Sequence, residues 1–204
     1  LPARRRVGCE GGTVVRGLRR RLQPARRGGD PIDHDPHGGI ELTRIAICPG
    51  TYDPVTLGHL DVIERASTLF DAVVVGVVRA PRHKATMFTI EQRIAFLEES
   101  LVATANVSVR AFSNLVVEFA REVGAGALVK GLRAVSDFEW EFQMNHLNKR
   151  LAPEIETVYL MSSSRYSFVS SSGVREIAEF GGSVAGLVPE PVVRAFTDRY
   201  AARS

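Results

Sequence analysis

The chain has 204 residues, enough for one domain with a sizeable core, and its 45% hydrophobic and 24% charged content is ordinary for a globular protein. No apolar run approaches the roughly 20 residues of a membrane helix, no apolar signal-peptide core lies near the start, and Cys9 and Cys48 alone make no disulfide framework. The net charge of +3 divides into +5 on residues 1–44, which hold ten Arg and five acids, and −2 on the rest, so the basic balance gives no reason for a nucleic-acid partner. The expectation is a cytoplasmic protein with neither nucleic-acid nor membrane partners.

Residues 1–42 are rich in Arg, Gly and Pro and lack sustained periodicity, so a disordered extension is expected there, with the folded domain over 43–204. Asp33-His34-Asp35-Pro36-His37 resembles a metal site only in composition. The chain begins at Leu1 and its first Met is Met87. Translation is therefore expected to start near Leu42 at a non-ATG codon, the upstream segment not being native. An intact mass that includes Leu1 to Gly39 contradicts that expectation.

From residue 44 strands and helices alternate. Ile45–Cys48 reads as a strand, and Leu57–Phe70 as a helix with Leu60, Ile63 and Leu69 on its buried face. Ala72–Arg79 is an apolar run of the kind seen in strands buried on both faces. Thr89-Ile90-Glu91-Gln92 reads as a capping box for a helix to about Val102. Asn106–Phe112 is a third strand, Asn114–Val123 a helix, Ala127–Lys130 a fourth strand and Asp137–Leu151 a helix. Thr157–Met161 is a fifth strand, Val169–Phe180 a helix closed by Gly181-Gly182, and Pro189–Tyr200 a last helix. Such βαβ alternation predicts an α/β fold, a doubly wound five-stranded parallel sheet with C-terminal helices. Ligands on such sheets bind beyond the carboxyl ends of the strands.

The polar residues gather where that rule wants them. After the first strand comes Pro49-Gly50-Thr51-Tyr52-Asp53-Pro54-Val55-Thr56-Leu57-Gly58-His59. His59 falls in the first turn of a helix, beside free backbone N–H groups and the positive end of the dipole, where an imidazole can donate to a phosphate. Gly50 is expected to let a ligand approach the backbone. The second strand is followed by Arg82-His83-Lys84, and the fourth by Lys130-Gly131-Leu132-Arg133, a compact anion cradle. Acids at Asp137 and Glu139 are explained by helix capping. The fifth strand leads to Tyr166-Ser167-Phe168-Val169-Ser170-Ser171-Ser172, whose hydroxyls and N–H groups suit a phosphate. There is no Gly-x-x-x-x-Gly-Lys-[Ser/Thr], no Gly-x-Gly-x-x-Gly after the first strand, no metal-ligand cluster and no credible protein nucleophile. Cations, N–H groups and one His equip a site to stabilise charge on a transferring phosphorus.

Thr56-Leu57-Gly58-His59 resembles the (His/Thr)-x-Gly-His signature of the nucleotidyltransferase superfamily. With Lys130–Arg133, Asp137-Phe138-Glu139-Trp140-Glu141 and Tyr166–Ser172 in order, residues 44–200 resemble the bacterial phosphopantetheine adenylyltransferases. The resemblance implies direct in-line attack of 4′-phosphopantetheine on the α-phosphorus of ATP, with Mg²⁺ held mainly by the ATP phosphates rather than by protein ligands. Dephospho-coenzyme A and pyrophosphate are the implied products, and a homohexamer the implied assembly. It implies His59, Lys84 and Arg133 as the catalytic set. It implies Thr51, Tyr52, His59, Gly131, Leu132, Arg133, Glu141 and Tyr166, Ser167, Phe168, Val169, Ser170, Ser171 and Ser172 for ATP. Thr51, Lys84, Val116 and Lys130 are implied for the acceptor substrate. Lys130 stands where many members have Arg. The loop before Lys84 is one residue longer than usual, so Arg82 is an alternative to it. Nicotinamide mononucleotide adenylyltransferases are the nearest rival, but they usually carry His where this chain has Thr56. A nucleotide sensor without catalysis would have no need of His59.

Overall fold

The computed structural model describes residues 44–80 and 85–201. The extension 1–42, its His34 and His37 cluster, and the loop cations Arg82 and Lys84 lie outside the described residues. The strands are β1 (Ile45–Gly50), β2 (Ala72–Val78), β3 (Val107–Phe112), β4 (Ala127–Leu132) and β5 (Glu156–Met161). The helices are α1 (Leu57–Leu69), α2 (Ile90–Ser100), α3 (Val116–Glu122), α4 (Val135–Leu151), α5 (Ser171–Glu179) and α6 (Glu190–Ala201). All strand pairs are parallel, in the order β3-β2-β1-β4-β5, the expected doubly wound α/β sheet.

The strands read as apolar runs because both faces of the sheet are covered. Cys48, Val73, Val75 and Val129 point to a cluster that takes in Ile63 of α1, Leu97 of α2, Val174 of α5 and Phe196 of α6. Ile47, Val74 and Leu128 point the other way, onto Val117, Phe119 and Ala120 of α3. The capping box at Thr89 forms as expected: its hydroxyl accepts from the Gln92 N–H (3.3 Å) and the Gln92 side-chain Oε1 accepts from the Thr89 N–H (3.0 Å).

Three expectations need correction. Leu69 is 48% exposed; the buried stripe of α1 is Leu60, Val62, Ile63 and Ala66. At 100° per residue Leu69 lies half a turn round the helix from Leu60, at the edge of that stripe. The fourth strand runs past Lys130: Gly131 and Leu132 are not a loop but its last rungs, paired with Leu160 and Met161 of β5. Finally, α5 starts at Ser171, because Val169 is buried at 5% exposure in the preceding turn and Ser170 is the N-cap.

One charged side chain is built into this frame. Arg93 of α2 is 1% exposed, and its guanidinium donates to the carbonyls of Thr51 (2.8 Å), Val78 (2.9 Å) and Arg79 (3.0 Å). It thereby ties together the backbone leaving β1 and β2. Arg93→Met keeps volume but leaves three part-buried carbonyls without their donor, and should cost about 3 kcal/mol of stability. Urea unfolding measures this; an unchanged midpoint contradicts the role.

Candidate active site

β1 feeds β2 on one side of the sheet, while β4 feeds β5 on the other. The β1–β4 register runs only to Ile47 opposite Leu128, whereas β1 stays paired with β2 as far as Gly50 opposite Val77. The carboxyl ends of β1 and β4 therefore part, and a cavity of about 470 Å³ opens at this switch point. Of the residues read from the sequence, Thr51, Tyr52, His59, Lys130, Gly131, Arg133, Glu141, Val169, Ser170, Ser171 and Ser172 line it.

The turn after β1 fixes His59 in detail. Thr56 is extended at the N-cap of α1, and its hydroxyl accepts from the His59 N–H (3.3 Å). The reciprocal half of this capping box is the imidazole itself: the Thr56 N–H donates to Nδ1 of His59 at 3.0 Å. An Nδ1 that accepts carries no proton, so a neutral ring bears its hydrogen on Nε2. Burial first, and the nearby Arg133 charge second, lower the His59 pKa from 6.5 to about 4. At neutral pH His59 is thus an uncharged Nε2–H donor on the wall of the cavity. Because the folded protein resists this proton and the unfolded chain does not, His59 lowers stability as pH falls from 6.5 to about 4.

Tyr52 takes a left-handed backbone (φ 52°), is 6% exposed, and donates its phenol to the Cys48 carbonyl at 2.8 Å. Its ring meets the His59 ring edge-on at 5.2 Å between centroids. A Cβ on Gly50 would lie 2.9 Å from that phenol ring. Gly50 therefore makes room for Tyr52, and it also lines the cavity. Gly58 likewise stands 3.3 Å, at Cβ distance, from the Tyr166 side chain.

The cations of the cavity do not stand free. Arg133 makes a forked pair with Asp137 (3.1 and 3.2 Å) and also donates to the Val169 carbonyl (3.2 Å). That pairing holds the Asp137 carboxyl below the usual carboxylate range, so Asp137 orients a cation rather than merely capping α4. Lys130 reaches both carboxylate oxygens of Glu141, at 3.2 and 3.3 Å. Arg175 pairs with the buried Asp53 (3.2 Å) and donates to its backbone carbonyl. Asp53 also accepts from the N–H groups of Met87 (2.8 Å) and Phe88 (2.9 Å).

The serines divide their work. Ser170 caps α5 through the Gly173 N–H (3.0 Å), and Ser171 donates to the Pro54 carbonyl (2.8 Å), joining α5 to the turn after β1. Ser172 lies 3.3 Å from the Ser170 hydroxyl. Some expected residues do not line the cavity. Leu132 is buried, Tyr166 packs into the core beside α1, the Ser167 hydroxyl donates to the Ser164 carbonyl, and Phe168 is 74% exposed. Val116 packs against the cluster on the opposite face of the sheet, because α3 begins there and turns its apolar side inward.

Residues 47–177 match the cytidylyltransferase-like family. Phosphopantetheine adenylyltransferase of Alkaliphilus oremlandii (strain OhILAs) is 50% identical over 157 residues, 77% of this chain and 99% of the relative. That of Desulforudis audaxviator (strain MP104C) is 51% identical over 160 residues, 78% of this chain and 98% of the relative. That of Moorella thermoacetica (strain ATCC 39073 / JCM 9320) is 50% identical over 157 residues, 77% and 98% respectively. The chain belongs to the phosphopantetheine adenylyltransferase family.

The site read from motifs alone omits Asp53 and Arg175. Both had a signal: Asp53 is the acid inside the opening turn, and Arg175 is a cation one turn beyond the serine run. What the spacing could not reveal is that they meet. Thr56 was read only as a discriminator between families, yet its N–H sets the His59 tautomer. Nitrogen-detected NMR should show His59 as a neutral Nε2–H ring from pH 6 to 8, with a pKa of about 4. A titration near 6.5, or a hydrogen on Nδ1, contradicts the assignment.

Proposed function

We infer that the chain transfers the adenylyl group of ATP to 4′-phosphopantetheine, giving dephospho-coenzyme A and pyrophosphate. The observation that carries this is the neutral His59 donor held at the switch-point cavity of a chain half-identical to three phosphopantetheine adenylyltransferases over nearly their whole length. In the reaction a phosphate oxygen of the acceptor attacks the α-phosphorus. The bond from that phosphorus to the bridging oxygen breaks, and pyrophosphate leaves with the electron pair. His59 donates Nε2–H to an α-phosphate oxygen, a bond that strengthens as charge grows there. Arg133, steadied by Asp137, adds positive charge beside it.

The side chains of the cavity support attack by the substrate itself. Burial pushes the Cys48 thiol up to about 12, so it is no thiolate. The Ser171 hydroxyl is committed to Pro54, and Nδ1 of His59 to Thr56. Among the described residues no group of three or more His, Cys, Asp and Glu side chains could hold a metal. Mg²⁺ is proposed to take its ligands mainly from the ATP phosphates and water, where it would neutralise phosphate charge. Tyr52 is proposed as a support for His59 rather than a nucleotide contact, since its phenol is already bonded. Lys84 remains proposed for the acceptor phosphate, with Arg82 its alternative.

The proposed setting is the cytoplasm, where ATP is available; among the described residues no helix is long and apolar enough to cross a membrane. Self-association into a hexamer is supported by α4, which buries no residue and exposes Trp140, Phe142, Leu147 and Leu151. Light scattering should give the mass of six chains. Incubation with ATP, Mg²⁺ and 4′-phosphopantetheine should release pyrophosphate, and nicotinamide mononucleotide should not replace the acceptor. His59→Ala should lower kcat about a thousandfold while ATP still binds. Unchanged turnover would sink the role of His59, and preference for nicotinamide mononucleotide would sink the substrate assignment.

A further inference from the structure

The Lys130–Glu141 pair sets two proposed duties against each other. Lys130 projects from the end of β4 and Glu141 from the second turn of α4, each side chain is about one-fifth exposed, and both line the cavity. The ammonium meets both carboxylate oxygens, at 3.2 and 3.3 Å. Glu141 is held in place from behind, since its backbone carbonyl accepts from the Tyr159 phenol of β5 at 3.1 Å. Lys130 is a point charge without a fork, so one carboxylate satisfies much of what it offers. An acceptor phosphate arriving at Lys130 must therefore approach a carboxylate of its own sign. The other two cation pairs of the cavity differ. The Arg133 guanidinium engages Asp137 and a carbonyl at once, and Arg175 engages a carboxylate and a carbonyl of one residue.

We propose that Glu141 is a positioning residue that holds Lys130 back from the acceptor phosphate until hydroxyl donors of the nucleotide engage Glu141. The proposal rests on the functional reading above. A carboxylate that accepts from nucleotide hydroxyls turns its charge away from the ammonium, and Lys130 is then open to the phosphate monoester. Binding of nucleotide and acceptor is coupled through one ion pair, and by reciprocity each tightens the other. The coupling favours loading of the acceptor onto a site that already holds its reaction partner.

The test is calorimetric titration of the full chain with 4′-phosphopantetheine, with and without a non-hydrolysable ATP analogue. For the unaltered protein the analogue should tighten acceptor binding about tenfold. Glu141→Gln removes the charge and keeps the shape. It should bind the acceptor several-fold more tightly than the unaltered protein when no analogue is present, and the analogue should then add little. A merely structural role predicts the reverse, weaker acceptor binding. Equal or weaker binding by Glu141→Gln, or the same gain from the analogue in both proteins, overturns the proposal. Glu141→Ala, which cannot misplace an amide, should follow Glu141→Gln in sign. These outcomes are separable from failure of the functional reading, which shows as no pyrophosphate release by the unaltered protein.

Discussion

The cavity takes its shape from one buried carboxylate. Asp53, 3% exposed, accepts from the Met87 and Phe88 N–H groups before α2 and pairs with Arg175 of α5. Three segments that leave three different strands are thereby joined at a single point. Breaking such a set costs more than making it gains, because the partners left behind stay buried. Arg93 does the matching work with backbone acceptors, and together the two residues hold the turn after β1 against α2. Only a turn held this firmly can keep Thr56 where its N–H meets the imidazole of His59.

Electrostatically the cavity is a set of paired charges. Lys130, Arg133 and Arg175 meet Glu141, Asp137 and Asp53, so the described lining is close to neutral. A polyanion entering it exchanges partners with cations already in place. This arrangement lowers the cost of holding cations together in the empty protein and makes recognition depend on which carboxylates yield. The neutral His59 fits the same logic, because an imidazolium beside Arg133 would be penalised by burial and by like charge.

Much of this was legible before any coordinates. Strand and helix order followed from apolar runs and cap residues, since a parallel sheet covered on both faces demands those patterns. His59 was legible because Thr-x-Gly-His places a ring at a helix start, and the ~50% identical relatives bear out the family read from the four motifs. Leu69 misled because it is apolar yet lies half a turn round the helix from Leu60, at the edge of the buried stripe. Gly50 lines the cavity, but its neighbour there, the Tyr52 ring, arrives through an unusual backbone angle that spacing does not encode. Following a strand did not bring Val116 to the cavity, because the first turn of α3 faces the other layer.

By itself the sequence determined which residues carry the chemistry and the order of elements that delivers them to one edge of a sheet. These are local matters, governed by periodicity, capping and motif spacing. Tertiary structure alone decided the partners: Asp53 with Arg175 across 122 positions, Ser171 with Pro54 across 117, and Lys130 of β4 with Glu141 of α4. Pairing is a matter of distance in space, and distance is set only once the sheet order places β4 beside β1.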